Sequence, residues 1–144
     1  MKELGILNNI NSILFLCTGN SCRSQIAEGI ARKYIKNKTL YSAGIEAHGL
    51  NPYAIDTMKD IDIDISNYKS KIITSEDIKS YDLVITLCGD AKDNCPLLDD
   101  KVIHEHWDLE DPASFVGNRE EKNRKFAEIR DVIYKNIKDL KERL

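Results

Sequence analysis

Apolar positions along this chain follow two rhythms. Ser12–Leu16, SILFL, is a short continuous apolar run of the kind that forms a strand buried on both faces. After a polar interruption, RSQIAEGIARKYIK (Arg23 to Lys36) sets Ile26, Ile30 and Tyr34 at helical spacing. TLYSAG (Thr39 to Gly44) predicts a second strand, and NPYAIDTMKDI a second helix with Asn51 as its cap and Pro52 at its first position. DLVITLC (Asp82 to Cys88) predicts a third strand, and KVIHEHW (Lys101 to Trp107) a fourth. Phe126, Ile129, Ile133, Ile137, Leu140 and Leu144 then recur every three or four residues, the apolar stripe of a long C-terminal helix. Strands that alternate with helices define an α/β domain with a parallel sheet and right-handed crossovers. In such sheets ligands sit outside the carboxyl ends of the strands. Cys17 and Cys88 both fall at those ends, which makes them the first candidates for chemistry.

Composition narrows the choice. A chain of 144 residues accommodates one domain, 1–144, with a core that needs no staples. With 21 Lys and Arg against 24 Asp and Glu, the formal net charge is -3, so no broad basic surface invites nucleic acid and any anion site must be local. Glu3, Asn8, Asn9 and Asn11 break up the apolar residues at the start, so neither a signal peptide nor a membrane span is expected. The expectation is a cytoplasmic monomer whose four cysteines are reduced thiols. The six residues between Cys88 and Cys95 exceed the two-to-four-residue gap of a structural zinc site, and no metal or cofactor is expected.

The segment FLCTGNSCRSQ asks why a thiol should stand where a buried strand ends. Between Cys17 and Arg23 lie Thr18, Gly19, Asn20, Ser21 and Cys22, whose backbone amides can turn inward as an anion nest closed by a helix N-terminus. Gly19 and Asn20 tolerate the positive φ that such a turn uses. Arg23 offers a planar fork to two oxygens of a tetrahedral oxyanion, and the same positive field lowers the pKa of the Cys17 thiol. Asn20 and Ser24 are placed to shape the loop and hydrogen-bond the thiolate; Cys22 is expected to turn its thiol away from the anion. Of the three histidines, His104 and His106 fall on one side of the fourth strand, and all three are expected to be surface or satisfied residues.

The segments CTGNSCRS, YSAGIEAHGLNP, DIDISN, ITLCGDAKDNCP and EHWDLEDPA, taken in order, resemble the thioredoxin-coupled arsenate reductases, which share the fold of low-molecular-weight protein tyrosine phosphatases. The likeness runs from about Ile13 to about Ala113 and becomes one of pattern alone in the C-terminal helix. It implies a four-stranded parallel sheet with helices on both faces, and Thr18 to Ser24 (Thr18, Gly19, Asn20, Ser21, Cys22, Arg23, Ser24) as the oxyanion-binding loop. It also implies a relay. Cys17 attacks arsenate, Cys88 attacks Cys17 and releases arsenite, and Cys95 attacks Cys88 to leave a Cys88–Cys95 disulfide for thioredoxin to reduce. A regular helix would hold Cys88 and Cys95 ~10 Å apart, beyond the ~7 Å reach of a disulfide, so the segment must unwind for them to bond. Asp111, ahead of Pro112, matches the general acid, and Glu110 is expected to be a bystander.

Two other classes compete with this expectation. A phosphatase needs Cys17, Arg23 and Asp111 but neither Cys88 nor Cys95, and a non-catalytic oxyanion or redox sensor needs no turnover at all. One departure from the family stands at Lys71. Some related reductases hold potassium beside the loop; the matching positions here are Asn20, Glu28, Ser42 and Lys71, and the last carries a cation where relatives carry aspartate. Lys71 is expected either to face solvent or to bring its ammonium to Glu28 in place of the ion.

Overall fold

In a computed structural model, which describes residues 7–87 and 102–144, four strands form one parallel sheet in the order β2-β1-β3-β4. The strands are β1 (Ser12–Cys17), β2 (Thr39–Gly44), β3 (Leu83–Thr86) and β4 (Ile103–His106). Between and after them come helices α1 (Arg23–Tyr34), α2 (Pro52–Lys59), the short α3 (Ser75–Ile78), a 3-10 turn (Pro112–Ser114) and the C-terminal helix α4 (Arg119–Arg143). β1 lies between β2 and β3, and the chain leaves it first to one side and then to the other. That reversal opens the crevice at the carboxyl end of β1 in which sheets of this type bind ligands.

The alternation of side chains along β1 divides the core in two. Ile13 and Phe15 face a large cluster with Ile26 and Ile30 of α1, Met58 of α2 and Phe126, Ile133 and Ile137 of α4, all almost fully buried. Leu14 and Leu16 face the other side, with Ala43, Ile73, Val84 and Ile78 of α3, and Cys17, the last residue of the strand, joins this second cluster out of the alternation. β1 is therefore covered on both faces, as its unbroken apolar run requires. Cys17 and Cys22 fall in opposite clusters, so the loop that joins them crosses the end of the sheet.

Most element positions agree with the sequence pattern, and the differences have local causes. α1 ends at Tyr34 rather than Lys36, because Ile35 turns extended and Asn37 then takes a φ of 66°. β2 is as expected, and Asn51 caps α2 by accepting from the Tyr53 amide at 2.8 Å. β3 ends at Thr86 and not at Cys88, although the Leu87 amide still reaches the Leu16 carbonyl at 3.0 Å. Cys88 and Cys95 lie outside the described residues. β4 is shorter at both ends than Lys101–Trp107. α4 starts earlier than its apolar stripe, at a capping box between Asn118 and Glu121. Its far end is fixed to the sheet by Arg143, whose guanidinium makes hydrogen bonds of 2.6 and 3.0 Å to the buried Glu105 carboxylate.

Candidate active site

The loop from Cys17 to Arg23 is built by turning its carbonyls outward. Thr18 O accepts from the Glu46 amide at 2.9 Å, Gly19 O from His48 at 3.0 Å and Ser21 O from Asn51 at 3.0 Å. Asn20 O accepts from Gln25 Nε2 at 3.1 Å and from Ser70 Oγ at 2.7 Å. Because each peptide is planar and trans, a carbonyl held outward sends the following amide the other way, toward the space above Cys17. The Cys22 position that starts α1 brings no side-chain acceptor to the first-turn amides, so they stay available to an anion. Asn20 takes the left-handed φ of 49° that the sequence allowed; Gly19 does not, and its missing side chain serves instead to admit the ring of His48. A Cβ at Gly44 would come within 2.6 Å of Thr18 O and 2.8 Å of Asn20 N, so only glycine lets β2 end this close to the loop.

Buried side chains secure the nucleophile. Asn20 Oδ1 accepts from Gln25 Nε2 (2.9 Å) and from the Lys71 amide (2.8 Å), which leaves its Nδ2 to donate to Ser24 Oγ (2.8 Å) and Ser42 Oγ (3.1 Å). Ser24 Oγ stands 2.7 Å from Cys17 Sγ. With its oxygen already accepting from Asn20, the Ser24 hydroxyl can direct its proton to sulfur and so favours the thiolate. The second thiol has the opposite character: burial pushes Cys22 up to about 12, against a smaller opposing effect of its bond to Ser21, and it stays protonated. Arg23 donates through Nη1 to Leu109 O at 2.8 Å and lies 3.6 Å from Asp111 Oδ1 through Nη2. Its Nε is buried with no hydrogen-bond partner among the described residues. A guanidinium that leaves a buried N–H open is placed to receive an oxyanion.

These groups line a cavity of about 440 Å³ formed by Cys17, Thr18, Gly19, Ser21, Cys22, Arg23, His48, Asp111, Ala113 and Ser114. Asp111 caps the 3-10 turn, with Oδ1 accepting from the Ala113 amide and Oδ2 from Ser114 Oγ, each at 3.0 Å. Glu110 instead meets Lys125 at 3.4 Å and does not line the cavity. Asn20 and Ser24 are wholly buried and act through the loop and the sulfur. His104 and His106 both bond Thr86 Oγ1, at 3.1 and 2.7 Å. Sequence reasoning missed Gln25, Ser70, Glu46 and His48. His48 could have been found from its place just beyond the carboxyl end of β2, the same edge of the sheet as the loop. Among the described residues no group of three or more His, Cys, Asp or Glu side chains is arranged to hold a metal, and no helix is long and apolar enough to cross a membrane.

A thiol at the end of the first strand and an arginine opening the next helix, joined by an amide-lined turn, define the oxyanion-handling cysteine proteins of parallel α/β type. Residues 12–144 match the model of the low molecular weight phosphotyrosine protein phosphatases, and the chain belongs to that family. It is 53% identical over 131 residues to an arsenate reductase of Bacillus subtilis, covering 90% of this chain and 94% of the relative. An arsenate reductase of Staphylococcus xylosus is 50% identical over 133 residues, with 92% and 97% covered. Among solved structures, an arsenate reductase in its phosphate-binding state superimposes with a TM-score of 0.71 at 30% identity, over 92% of this chain and 98% of that one. The tyrosine phosphatase Wzb of Escherichia coli K30, solved with sulphate, shares the fold at 21% identity and a TM-score of 0.79, over 92% and 97% of the two chains.

Lys71 takes the second of its two expected placements. Its Nζ lies 3.8 Å from Glu28 Oε1 and donates to Lys69 O at 3.1 Å, over the ring of Tyr41. Glu28 is buried and also holds Ser42 Oγ (2.6 Å) and Arg32 Nε (2.7 Å). Burial lowers the Lys71 pKa, partly offset by the Glu28 charge. An ammonium at this distance from the carboxylate does not fit a potassium ion beside it. Exchange of potassium for sodium at constant ionic strength should therefore change neither melting temperature nor turnover; a potassium-specific gain in either would contradict the assignment.

The cradle itself predicts that Cys17 alkylates with a pH midpoint well below the ~8.5 of a free cysteine. Arg23→Lys, which replaces a fork by a point charge, should lower kcat/KM for an oxyanion substrate by about 100-fold or more. A Cys17 midpoint at or above the free value, read by mass spectrometry, would remove the activated thiolate.

Proposed function

We propose that this chain reduces arsenate to arsenite. The observation that carries this is the pocket over Cys17, in which Ser24 addresses the sulfur and the buried Nε of Arg23 has no other partner among the described residues. The likeness to named arsenate reductases over nine-tenths of the chain selects reduction among the reactions such a pocket supports.

In the proposed sequence the Cys17 thiolate attacks arsenic while the loop amides and Arg23 hold the oxyanion. A hydroxyl group departs as water with a proton from Asp111. Cys88, as thiolate, then attacks Cys17 Sγ. The electron pair of the sulfur–arsenic bond passes to arsenic, which leaves as arsenite, and a Cys17–Cys88 disulfide remains. Cys95 attacks Cys88, returns Cys17 as a thiolate and closes the Cys88–Cys95 disulfide. Thioredoxin supplies the two electrons that reopen it, in a cytoplasm that keeps the other thiols reduced. A monomer is sufficient, since every group in the sequence comes from one chain.

Phosphoester hydrolysis is the competing activity, since Cys17, Arg23 and Asp111 line one cavity and serve it equally well. Arsenite release by the purified protein with thioredoxin, its reductase and NADPH tests the proposal. Cys88→Ser should abolish that release and spare any hydrolysis of an aryl phosphate. After stoichiometric arsenate without reductant, peptide mapping should find the Cys88–Cys95 disulfide, and Cys95→Ser should trap Cys17–Cys88. Accumulation of a Cys17–Cys22 bond would refute the relay.

A further inference from the structure

We infer that the Glu46–His48 pair is a specificity element of the pocket: His48 in its imidazolium form adds a proton-dependent positive wall that favours a small, multiply charged inorganic oxyanion. The inference rests on the reading of this cavity as an oxyanion site.

The ring of His48 lies against Gly19, with Nδ1 nearest: a Cβ on Gly19 would stand only 2.2 Å from it. The loop thus gives up a side chain at 19 so that an imidazole can occupy the rim. The other ring nitrogen, Nε2, is 2.6 Å from Glu46 Oε1. Both residues are fixed to the loop by their own amides, Glu46 to Thr18 O and His48 to Gly19 O, so ring and carboxylate move with the cradle. Their side chains remain half exposed or more, open to an incoming anion and to proton exchange with solvent.

With Nε2 committed to a carboxylate, Nδ1 is the nitrogen turned to the loop. In the neutral ring with its proton on Nε2 it offers a lone pair, which repels an oxyanion; in the imidazolium it offers an N–H, which attracts one. Among the described lining residues His48 supplies the sole ring. Where an aryl ester would need a flat apolar wall, this pocket presents an imidazole held by a carboxylate. The other charged or titratable groups that face the same space are Cys17, Cys22, Arg23 and Asp111.

His48→Gln keeps the size and hydrogen bonding of the side chain and removes its charge, while those other groups stay in place. Sulfate is the probe, because it keeps two negative charges through the range in which imidazole titrates. The ratio of sulfate dissociation constants, His48→Gln over the native protein, should be about tenfold near pH 5.5 and fall to about twofold or less near pH 8.5. Steady-state arsenate assays should show the same trend in KM with kcat little altered. A ratio that does not change with pH, or that rises as pH rises, would overturn the inference. Since sulfate binding needs no turnover, its failure is separate from failure of the reductase proposal, and absence of sulfate binding by both proteins would remove the oxyanion site on which the inference stands.

Discussion

The arrangement depends on one constraint, that the carbonyls of residues 18 to 21 are held outward by donors from elsewhere in the chain. Three of those donors are amides of the segment after β2, at Glu46, His48 and Asn51, and the rest are side chains of Gln25 and Ser70. An anion site made of backbone amides lasts only if the matching carbonyls have somewhere better to point than the anion. Here that duty is spread over α1, the segment before α2 and the segment before α3, so the shape of the cradle is set by the protein's own hydrogen bonds. Preorganisation of this kind is what makes fixed dipoles effective on a charge that enters a site.

The nucleophile is embedded in the same framework. Asn20 sits at its centre: its left-handed backbone makes the turn, and its side chain links Lys71, Gln25, Ser24 and Ser42. Through Ser24 the network reaches the Cys17 sulfur, and through Ser42 it reaches the buried carboxylate of Glu28. That carboxylate would be costly alone, and two cations, Arg32 and Lys71, stand against it. A loop that binds an anion on one side is thus backed on the other by an ionic cluster of one buried carboxylate and two cations, which leaves one positive charge over. The two thiols of the loop differ for the same structural reason: Cys17 lies at the open end of the sheet beside a hydroxyl donor, whereas Cys22 packs into the larger apolar core.

Much of this was legible in the sequence. The apolar run of β1 and the helical spacing of α1 placed Cys17 and Arg23, and tetrahedral-anion chemistry followed from the residue types between them. Strand order was not accessible from periodicity, and the family resemblance implied only a four-stranded parallel sheet with helices on both faces; the order is seen in the tertiary structure. α3 and the 3-10 turn were invisible because each is set by a single cap, Thr74 or Asp111, rather than by an apolar repeat. The strap at Glu46, His48 and Asn51 escaped because its bonds are backbone amides, which carry no residue signature. Gly19 was read as conformational freedom, when its role is steric and depends on a ring twenty-nine positions later that only the tertiary structure brings close.

The central claim, that an oxyanion enters the cradle above Cys17, is tested most directly by following backbone amide resonances while inorganic phosphate is added to the reduced protein. The amides of Gly19 to Arg23 should shift together, saturably and with a single dissociation constant, as they take up the anion. Shifts centred instead on another basic area, such as the pocket edged by Lys36, Lys38 and Lys141, with the loop amides unmoved, would contradict the account.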